Sequence, residues 1–389
     1  MGMNDASLDD AALIARADAA AGARRLGEAL GFLHQVIDRG SADADTYLKA
    51  SSLHRAQSEP RIALDLITQA LRRDPLNFLA LMFRADLLYQ LGDPSAAEVY
   101  GQALAQRGDA VLHPPLQAAV DKAEKIYADY IQTSRAALEQ TAAPFAAQGS
   151  SLEQLRLARF ASNIARETRP HHCEPTHFHF PGLAEYEFHD RAAFPWMDEV
   201  EASTAIIREE LDAVLGTERA ELVPYVQYDD AVPMRQWKGL NHSLDWTAVH
   251  LIARGERVEA NARHCPKTMA LLGQLPQPEL AGDAPNAMFS LLKPHTTIPP
   301  HHGIANFRLV CHVPLIVPPN CWFRVGGETR EWEVGKAFVF DDTIEHEAAN
   351  DSDELRVVMI FDVWHPGLSA LERSAIQAML AGQPSVGAL

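Results

Sequence analysis

The sequence predicts a multidomain α + β protein, in which an N-terminal array of α-helical repeats is followed by a jelly-roll domain of β strands. Three observations carry this prediction. The first third of the chain is rich in Ala and Leu and repeats itself every 34 residues. Residues 113–169 place apolar side chains at helical spacing. From residue 287 onward, short runs rich in Val, Ile, Phe and Trp alternate with Gly, Pro, Asn and Asp.

These changes of character along the chain predict three domains. Residues 1–110 form the repeat array, residues 111–170 a helical connector, and residues 171–389 the jelly-roll domain. Within the connector, the Ala-, Pro- and Gly-bearing segment 139–150 separates two helical stretches. We expect this segment to be a loop, because proline and glycine commonly interrupt helices.

The repeats are visible as residue pairs at a fixed separation. Ala29 and Ala63 stand 34 residues apart, as do Leu33 and Ile67, and residues 95–104 form a third copy with one residue deleted. A period of 34 with small residues where helices would cross resembles tetratricopeptide repeats. An ordinary helical bundle is the alternative. As a repeat array, this domain would offer a surface for a peptide or a partner protein.

Composition limits the kinds of partner that the protein can have. The chain has 389 residues and a formal net charge of −18. A negative field repels phosphate backbones, so we exclude nucleic acid as a general partner. No apolar run reaches the ~18 residues that span a bilayer. The acidic N-terminus does not resemble a signal peptide. We therefore expect no membrane association and a cytoplasmic location.

The four cysteines are widely spaced and include no C-x-x-C pair. A zinc site with four thiolate ligands needs close pairs of cysteines, so this class of site is excluded. Disulfide bonds are rare in a reducing compartment. We therefore expect buried, reduced thiols.

Six runs in the C-terminal region are typical of β strands, because they are short, enriched in Val, Ile, Phe and Trp, and bounded by Gly, Pro, Asn or Asp. They cover residues 287–292, 307–317, 322–326, 328–334, 336–340 and 355–364. Gly326-Gly327 between two of the runs predicts a hairpin turn. Closely spaced antiparallel strands without intervening helices suggest a double-sheet jelly roll, the architecture that cupins share. Flanking helices are expected at 206–215 and 371–380.

Two segments of this region carry ordered motifs that resemble the aspartyl/asparaginyl β-hydroxylase family of 2-oxoglutarate oxygenases. The family's PH-x-G-x-x-N-x-RL run is matched by Pro300, His301, Gly303, Asn306, Arg308 and Leu309. Its FDDS-x-EH-E run is matched by Phe340, Asp341, Asp342, Glu345, His346 and Glu347, with Thr343 in the serine position. The closing D-x-WHP is matched by Asp362, Trp364, His365 and Pro366. The resemblance extends over roughly residues 175–370.

The resemblance implies a double-stranded β-helix (jelly-roll) catalytic domain that binds Fe(II) through His301 and His346, with 2-oxoglutarate as cosubstrate. Neutral imidazole is a good Fe(II) ligand, and such oxygenases need open metal positions. The usual carboxylate ligand is replaced here by Gly303, as in the family, where water completes the coordination. By the same resemblance, Asp342 would hold that water without touching the metal.

Alternatives remain for each of these residues. The two histidines could be unrelated surface or core residues. His302 could compete with His301 as a ligand, although adjacent strand residues face opposite ways. Asp341 and Asp342 could instead cap a turn, and for Asp341 we favour that role.

The same resemblance assigns the cosubstrate end of the site. Arg356 stands in the position of the arginine that pairs with the distal carboxylate of 2-oxoglutarate, and guanidinium groups bind carboxylates with two parallel hydrogen bonds. Ser290 matches the family serine that adds a hydroxyl donor, and an ordinary strand serine is its alternative. His312 matches a histidine near the cosubstrate. The family commonly has a second arginine where this chain has Val310, so we expect Arg356 to carry the main charge pairing.

The sequence therefore predicts a dioxygenase that hydroxylates an aspartyl or asparaginyl side chain in a peptide, a protein or a small aspartyl compound. Two alternatives stay open. One is hydroxylation of an acyl chain by the same chemistry, since lipid A hydroxylases resemble this family. The other is a jelly roll without turnover, or with weak turnover, that binds metal on a scaffold of protein-binding repeats.

Overall fold

The structure is a computed structural model that describes residues 8–109, 111–216, 222–229, 231 and 235–381. Two compact units make up the chain, Met1–Glu167 and Thr168–Leu389. The boundary that we place at residue 110 stays a prediction, since helices on both sides of it belong to the first unit. The fold class is the predicted one, with helical repeats in the first unit and antiparallel sheets in the second.

The first unit is an array of antiparallel helices, each packed against its neighbour along the chain. Its helices within the described residues are α1 (Asp10–Gly22), α2 (Leu26–Asp38), α3 (Ala44–Ala56), α4 (Pro60–Arg73), α5 (Phe78–Gln90), α6 (Ala96–Leu104), α7 (Pro114–Ala146) and α8 (Ser151–Ile164).

The sequence period places equivalent residues at equivalent positions of the array. Ala29 of α2, Ala63 of α4 and Ala96 of α6 are all buried. Alanine allows close approach of two helices, and each helix pair covers the apolar face of the next. The prediction of tetratricopeptide-like repeats is therefore confirmed.

The prediction of a loop over residues 139–150 is wrong for most of that segment. Helix α7 continues through this segment to Ala146 and includes Pro144. Alanine and glutamine are strong helix formers. Pro144 lacks the N–H that would donate to the carbonyl oxygen of Gln140, and the helix ends two residues later, at Ala146. The break is confined to the residues around Gly149, before helix α8.

The second unit is built on antiparallel strands. They are β1 (Val223–Pro224), β2 (Trp246–Ala253), β3 (Glu256–Arg257), β4 (Ala287–Leu292), β5 (Thr296–His301), β6 (Arg308–Ile316), β7 (Cys321–Val325), β8 (Glu328–Glu331), β9 (Phe338–Phe340), β10 (His346–Asn350) and β11 (Arg356–Trp364). Its helices are α9 (Met197–Ala202), α10 (Thr204–Leu215), α11 (Glu259–Ala262), α12 (Pro266–Leu272) and α13 (Ala370–Leu380), with 3₁₀ turns at Arg191–Ala193 and Arg235–Gly239.

Two sheets form the jelly roll. The larger has the strand order β1-β2-β4-β11-β6-β9, with β3 paired to β2, and the smaller has the order β5-β10-β7-β8. Side chains alternate between the two faces of β11. Met359 joins a core between the larger sheet and helices α9, α10 and α12. Val358 joins the core that also contains Ile298 and Phe323 of the smaller sheet.

Each of the six predicted runs overlaps a strand, but the short strands β1 and β3 and the longer strands β2, β5 and β10 escaped prediction. Strand β5 contains Pro299-Pro300, which argues against a central strand. It is an edge strand, and the register of its pairing with β10 shifts between Ile298 and His301, so the two prolines lie at an irregular position of the ladder where a missing N–H is tolerated. Strand β10 reads HEAAN and is poor in residues that favour strands. Strand β2, in contrast, has the typical composition and could have been found.

The four cysteines are free thiols, and three of them are buried. Within the described residues, no helix is long and apolar enough to cross a membrane.

Candidate active site

The two predicted metal-binding histidines lie side by side across neighbouring strands of the smaller sheet. His301 is the last residue of β5, His346 is the first of β10, and the two are direct partners in the strand pairing. Their ring centroids are 3.9 Å apart. Both line the cavity between the sheets. The sequence does not show how the two histidines come together. The structure shows that antiparallel pairing of β5 with β10 places them side by side.

Backbone contacts fix the protonation of both rings. The Nδ1 atom of His301 lies 2.8 Å from the carbonyl oxygen of Pro299, and that of His346 lies 3.0 Å from the carbonyl oxygen of Ile344. A carbonyl oxygen only accepts, so each Nδ1 carries the hydrogen and each Nε2 keeps its lone pair. Burial lowers the pKa of His301 to about 4 and that of His346 well below its usual value. Both rings are therefore neutral at physiological pH, the state in which imidazole binds a metal.

Gly303, which stands at the sequence position of the usual carboxylate ligand, lies against Asp342, and both residues line the cavity. A Cβ atom on Gly303 would lie 2.2 Å from both Cγ and Oδ2 of Asp342. The backbone N–H of Gly303 donates to the carbonyl oxygen of Asp342 at 2.6 Å. The glycine is thus required for the close approach of the aspartate.

Asp342 is 7% exposed, and its Oδ1 atom has no hydrogen-bond partner among the described residues. Burial raises its pKa to about 7, while nearby Arg308 partly opposes this shift. A buried carboxylate oxygen without a partner is costly unless a ligand or water completes it.

Two Nε2 lone pairs and one free carboxylate oxygen suit a divalent metal with a bound water. Among the described residues, no cluster of three or more His, Cys, Asp or Glu side chains placed to hold a metal is found. A metal at this site would accordingly have two protein ligands, with Asp342 beside them.

The competing assignments fall outside the cavity. His302 does not line it, and its Nε2 atom lies 3.8 Å from the carboxylate of Glu174. The Oδ1 atom of Asp341 accepts hydrogen bonds from the backbone and hydroxyl of Thr343, at 2.9 and 2.5 Å. Asp341 therefore caps a turn, as the sequence suggests.

A buried cation lies at the far end of the same cavity. Arg356 is 2% exposed, and among the described residues no carboxylate lies within ion-pair distance of it. Its Nη1 atom is 3.4 Å from the backbone oxygen and from the hydroxyl of Ser290, and its Nε atom has no partner among those residues. Burial lowers its pKa to about 10, so the group stays charged at neutral pH. A buried charge without a counterion is a strong indication of an anionic ligand.

The inward face of β6 closes this end. Arg308, Val310 and His312 all line the cavity, as the period of two predicts. Arg308 is bound to Asp362 at 3.0 Å and so does not act as a second free cation. Asp362 is further held by two hydrogen bonds from Asn286. Of these two described cations, Arg356 is therefore the one that stays open to a ligand at this end.

The cavity has a volume of about 150 Å³. Sequence reasoning missed several of its wall residues, including Tyr225, Trp246 and His250. The alternation of Trp246, Ala248 and His250 along β2 was a usable signal, because residues two apart share a face. On another wall the cavity is mostly apolar, and the residues there are Phe178, Leu280, Ala284, Ile304, Phe307 and Leu380.

Comparison with known families gives one match that covers this site. The family model described as Aspartyl/Asparaginyl beta-hydroxylase matches residues 201–366, a range that includes every predicted site residue.

Individual proteins are similar to parts of the chain. Aspartate beta-hydroxylase domain-containing protein 2 of Xenopus tropicalis is 31% identical over 218 residues, which are 55% of this chain and 56% of that protein. Ornithine lipid ester-linked acyl 2-hydroxylase of Rhizobium tropici is 34% identical over 197 residues, 50% of this chain and 66% of that protein. The chain thus spans about half to two thirds of these relatives. The Arabidopsis OM64 TPR domain is 20% identical with a TM-score of 0.27, over 31% of this chain and 94% of that structure.

Proposed function

The chain belongs to the aspartyl/asparaginyl β-hydroxylase family through residues 201–366, and on this premise we propose that it is an Fe(II)- and 2-oxoglutarate-dependent hydroxylase. One observation carries the proposal. A pair of neutral histidines with free Nε2 atoms shares a cavity with a buried guanidinium that has no carboxylate partner within the described part of the chain. A metal bound to the histidines and a dicarboxylate bound to the guanidinium would together provide partners for the groups at both ends of the cavity.

His301 and His346 would hold the iron, and Asp342 would accept a hydrogen bond from a water on the metal. The backbone carbonyls behind the histidines orient the rings for this purpose. When bound, Fe(II) and 2-oxoglutarate supply the dioxygen activation and oxidative decarboxylation that hydroxylation requires.

Arg356 would pair with the distal carboxylate of 2-oxoglutarate, with the hydroxyl of Ser290 and the ring of His312 as further donors. The surrounding rings of Trp332, Phe323 and the other buried aromatic residues exclude water from this end. Exclusion of water strengthens the pairing between the guanidinium and a carboxylate.

For the substrate we propose an aspartyl or asparaginyl side chain, on the strength of the family match. An acyl chain is a second candidate that two observations favour. The relative from Rhizobium tropici is named an acyl 2-hydroxylase. The cavity wall formed by Phe178, Leu280, Ile304 and their neighbours is apolar and would suit a hydrocarbon chain.

The helical repeats would bind a protein or peptide partner and take no part in the chemistry. Repeat arrays of this type present extended surfaces that suit peptides.

The chemistry is tested by metal content and succinate formation. The protein should bind about one Fe(II) per chain and convert 2-oxoglutarate to succinate, and His301→Ala or His346→Ala should abolish both, because two protein ligands leave no redundancy. His302→Ala is the matched control and should retain both. Wild-type metal content and turnover in His301→Ala would refute the site.

The substrate is tested by offering the enzyme two compound classes with Fe(II) and 2-oxoglutarate. Aspartyl- and asparaginyl-containing peptides form one class, and an ester-linked acyl lipid forms the other. Mass spectrometry should detect the gain of one oxygen atom in the true class and none with His301→Ala. Oxygen in the acyl lipid alone would overturn the aspartyl proposal and leave the hydroxylase proposal standing.

A further inference from the structure

Two indole rings lie at the end of the cavity around Arg356, and the reaction does not explain their role: Trp246 lines the cavity and Trp332 lies against the Arg356 guanidinium. Trp332 follows strand β8, and Trp246 begins strand β2. Both residues are 5% exposed. Each indole N–H donates to a side chain that would contact 2-oxoglutarate, so the role inferred for the two rings rests on the proposed function.

Trp332 determines which nitrogen of His312 carries the hydrogen. Its Nε1 atom lies 3.3 Å from Nδ1 of His312. Indole N–H can only donate, so Nδ1 of His312 must accept. Burial lowers the pKa of His312 well below its usual value, so the ring is neutral and carries one hydrogen. That hydrogen is therefore on Nε2, which has no hydrogen-bond partner among the described residues, in a ring that lines the cavity.

Trp332 also supports the cation. The guanidinium carbon of Arg356 lies 4.9 Å from the centre of the Trp332 ring. A cation over an indole face is attracted by the ring quadrupole. One side chain thus orients the imidazole through its edge and the guanidinium through its face.

Trp246 acts on Ser290 in the same way. Its Nε1 atom donates to the Ser290 hydroxyl oxygen at 3.0 Å, and Nη1 of Arg356 contacts that oxygen at 3.4 Å. A hydroxyl has two lone pairs and one hydrogen. The Trp246 indole and the Arg356 guanidinium occupy both lone pairs of the Ser290 hydroxyl. Its hydrogen is therefore available to donate to a ligand. The Trp246 ring is itself held by stacking on Tyr225, with centroids 3.8 Å apart.

We propose that Trp332 and Trp246 are positioning residues that make this end of the cavity present hydrogen-bond donors only. Arg356, Ser290 and Nε2 of His312 all then point hydrogens at the ligand. Such a site selects a carboxylate group and rejects a ligand that carries N–H donors at the same place, because two facing donors leave both unpaired.

The first test needs no bound ligand. In the metal-free full chain labelled with ¹⁵N-histidine, NMR should show His312 as the Nε2–H tautomer, with its signal assigned by its loss in His312→Phe. Trp332→Phe keeps an aromatic ring but removes the donor, and should produce a mixture of tautomers. Trp322→Phe is the matched control, because its indole N–H donates to Asp351 instead. An Nδ1–H tautomer in the wild-type chain would overturn the proposal.

The second test measures 2-oxoglutarate affinity by calorimetry with an inert divalent metal. Trp332→Phe and Trp246→Phe should each weaken binding about three- to tenfold, the usual effect of one net hydrogen bond. The loss from Trp332→Phe should disappear in a His312→Phe background, and that from Trp246→Phe in a Ser290→Ala background, because each indole acts through its partner. Equal affinities in Trp332→Phe and Trp322→Phe, or full additivity of the paired variants, would overturn the assignment.

The two tests separate the claims. If the wild-type chain failed to bind 2-oxoglutarate, the proposed function would fall. The NMR measurement on His312 would still decide whether Trp332 fixes its tautomer.

Discussion

At the scale of single residues, Arg356 is the most informative side chain in the cavity. Burial of an uncompensated charge costs several kcal/mol, and in the described part of the chain only ring and neutral oxygen contacts stabilise this guanidinium. A carboxylate ligand would offset the free-energy cost of burying the Arg356 charge. Val310 faces the same space and supplies no charge, so Arg356 would bear the pairing alone.

We therefore expect Arg356→Ala to weaken 2-oxoglutarate binding by at least ~30-fold, since loss of a buried charge partner typically costs ~2–5 kcal/mol. Titration calorimetry with an inert divalent metal would measure this. Val310→Arg should leave the affinity unchanged or increase it. Arg330→Ala is the control, because Arg330 lies over the Phe188 ring and does not line the cavity. Near-wild-type affinity in Arg356→Ala would mean that another group holds the distal carboxylate.

Cys173 illustrates how burial, together with a neighbouring carboxylate, lowers the reactivity of a half-buried thiol. Burial, together with a hydrogen bond from its thiol to Glu185 at 3.3 Å, raises its pKa to about 12. Only the thiolate reacts with alkylating reagents.

At pH 8 roughly one Cys173 thiol in ten thousand should be ionised, so alkylation should be very slow in the folded chain. Glu185→Gln removes the charge that disfavours the thiolate and should accelerate the reaction. The rate would be followed by iodoacetamide labelling and peptide mass spectrometry. Fast labelling of the wild-type chain would contradict the assigned pKa direction.

At the scale of structural elements, the pairing of β5 with β10 builds the proposed metal-binding end of the cavity. The register that joins His301 to His346 also brings the chain after β5 against the turn before β10. Gly303 and Asp342 meet there without space for a further carbon atom.

Gly303→Ala should therefore displace Asp342 and lower Fe(II) affinity or turnover by about 10- to 100-fold, as changes behind metal ligands usually do. Metal titration and succinate assays would report the effect. Gly327→Ala provides a glycine control, since its new Cβ would lie 3.7 Å from Thr168, an ordinary contact. An unchanged Gly303→Ala enzyme would show that the position of Asp342 is unimportant.

At the scale of the whole molecule, many buried histidines of the second unit disfavour protonation. Burial lowers the pKa of His189 to about 3, and its Nε2 atom has no partner among the described residues. Burial also lowers the pKa values of His250, His301, His312, His346 and His365. Asp341 and Asp342 act in the opposite direction, because burial raises their pKa values to about 6 and about 7.

The histidines outnumber these carboxyl groups, so between pH 6.5 and about 4 the unfolded chain binds more protons than the folded one. The stability of the metal-free protein should therefore decrease as the pH falls from 7 to 5. His189→Phe removes one group that is protonated in the unfolded chain and neutral in the folded one. The free energy of unfolding should then change less steeply with pH, by at most ~1.4 kcal/mol per pH unit. Thermal or urea unfolding at several pH values would measure both slopes. An unaltered slope in His189→Phe would contradict the assigned burial effect.

The sequence by itself determined the elements that depend on local pattern. The period of 34 gave the helical repeats, and runs of Val, Ile and Phe gave β4, β6 and β11. Ordered motifs gave the identities of His301, His346 and Arg356 as site residues, which stay predictions until metal and cosubstrate are measured. Helix and strand propensity depend on neighbours within a few residues, and the repeats and the motifs are patterns that can be read along the chain without knowledge of its contacts.

The tertiary structure alone decided how these residues meet. Antiparallel pairing puts His301 beside His346, although 44 residues separate them. Packing between strands directs the indoles of Trp246 and Trp332 to Ser290 and His312. The reason is physical. Strand register and side-chain packing are fixed by contacts between distant segments, and a shift of one residue would turn every side chain to the other face.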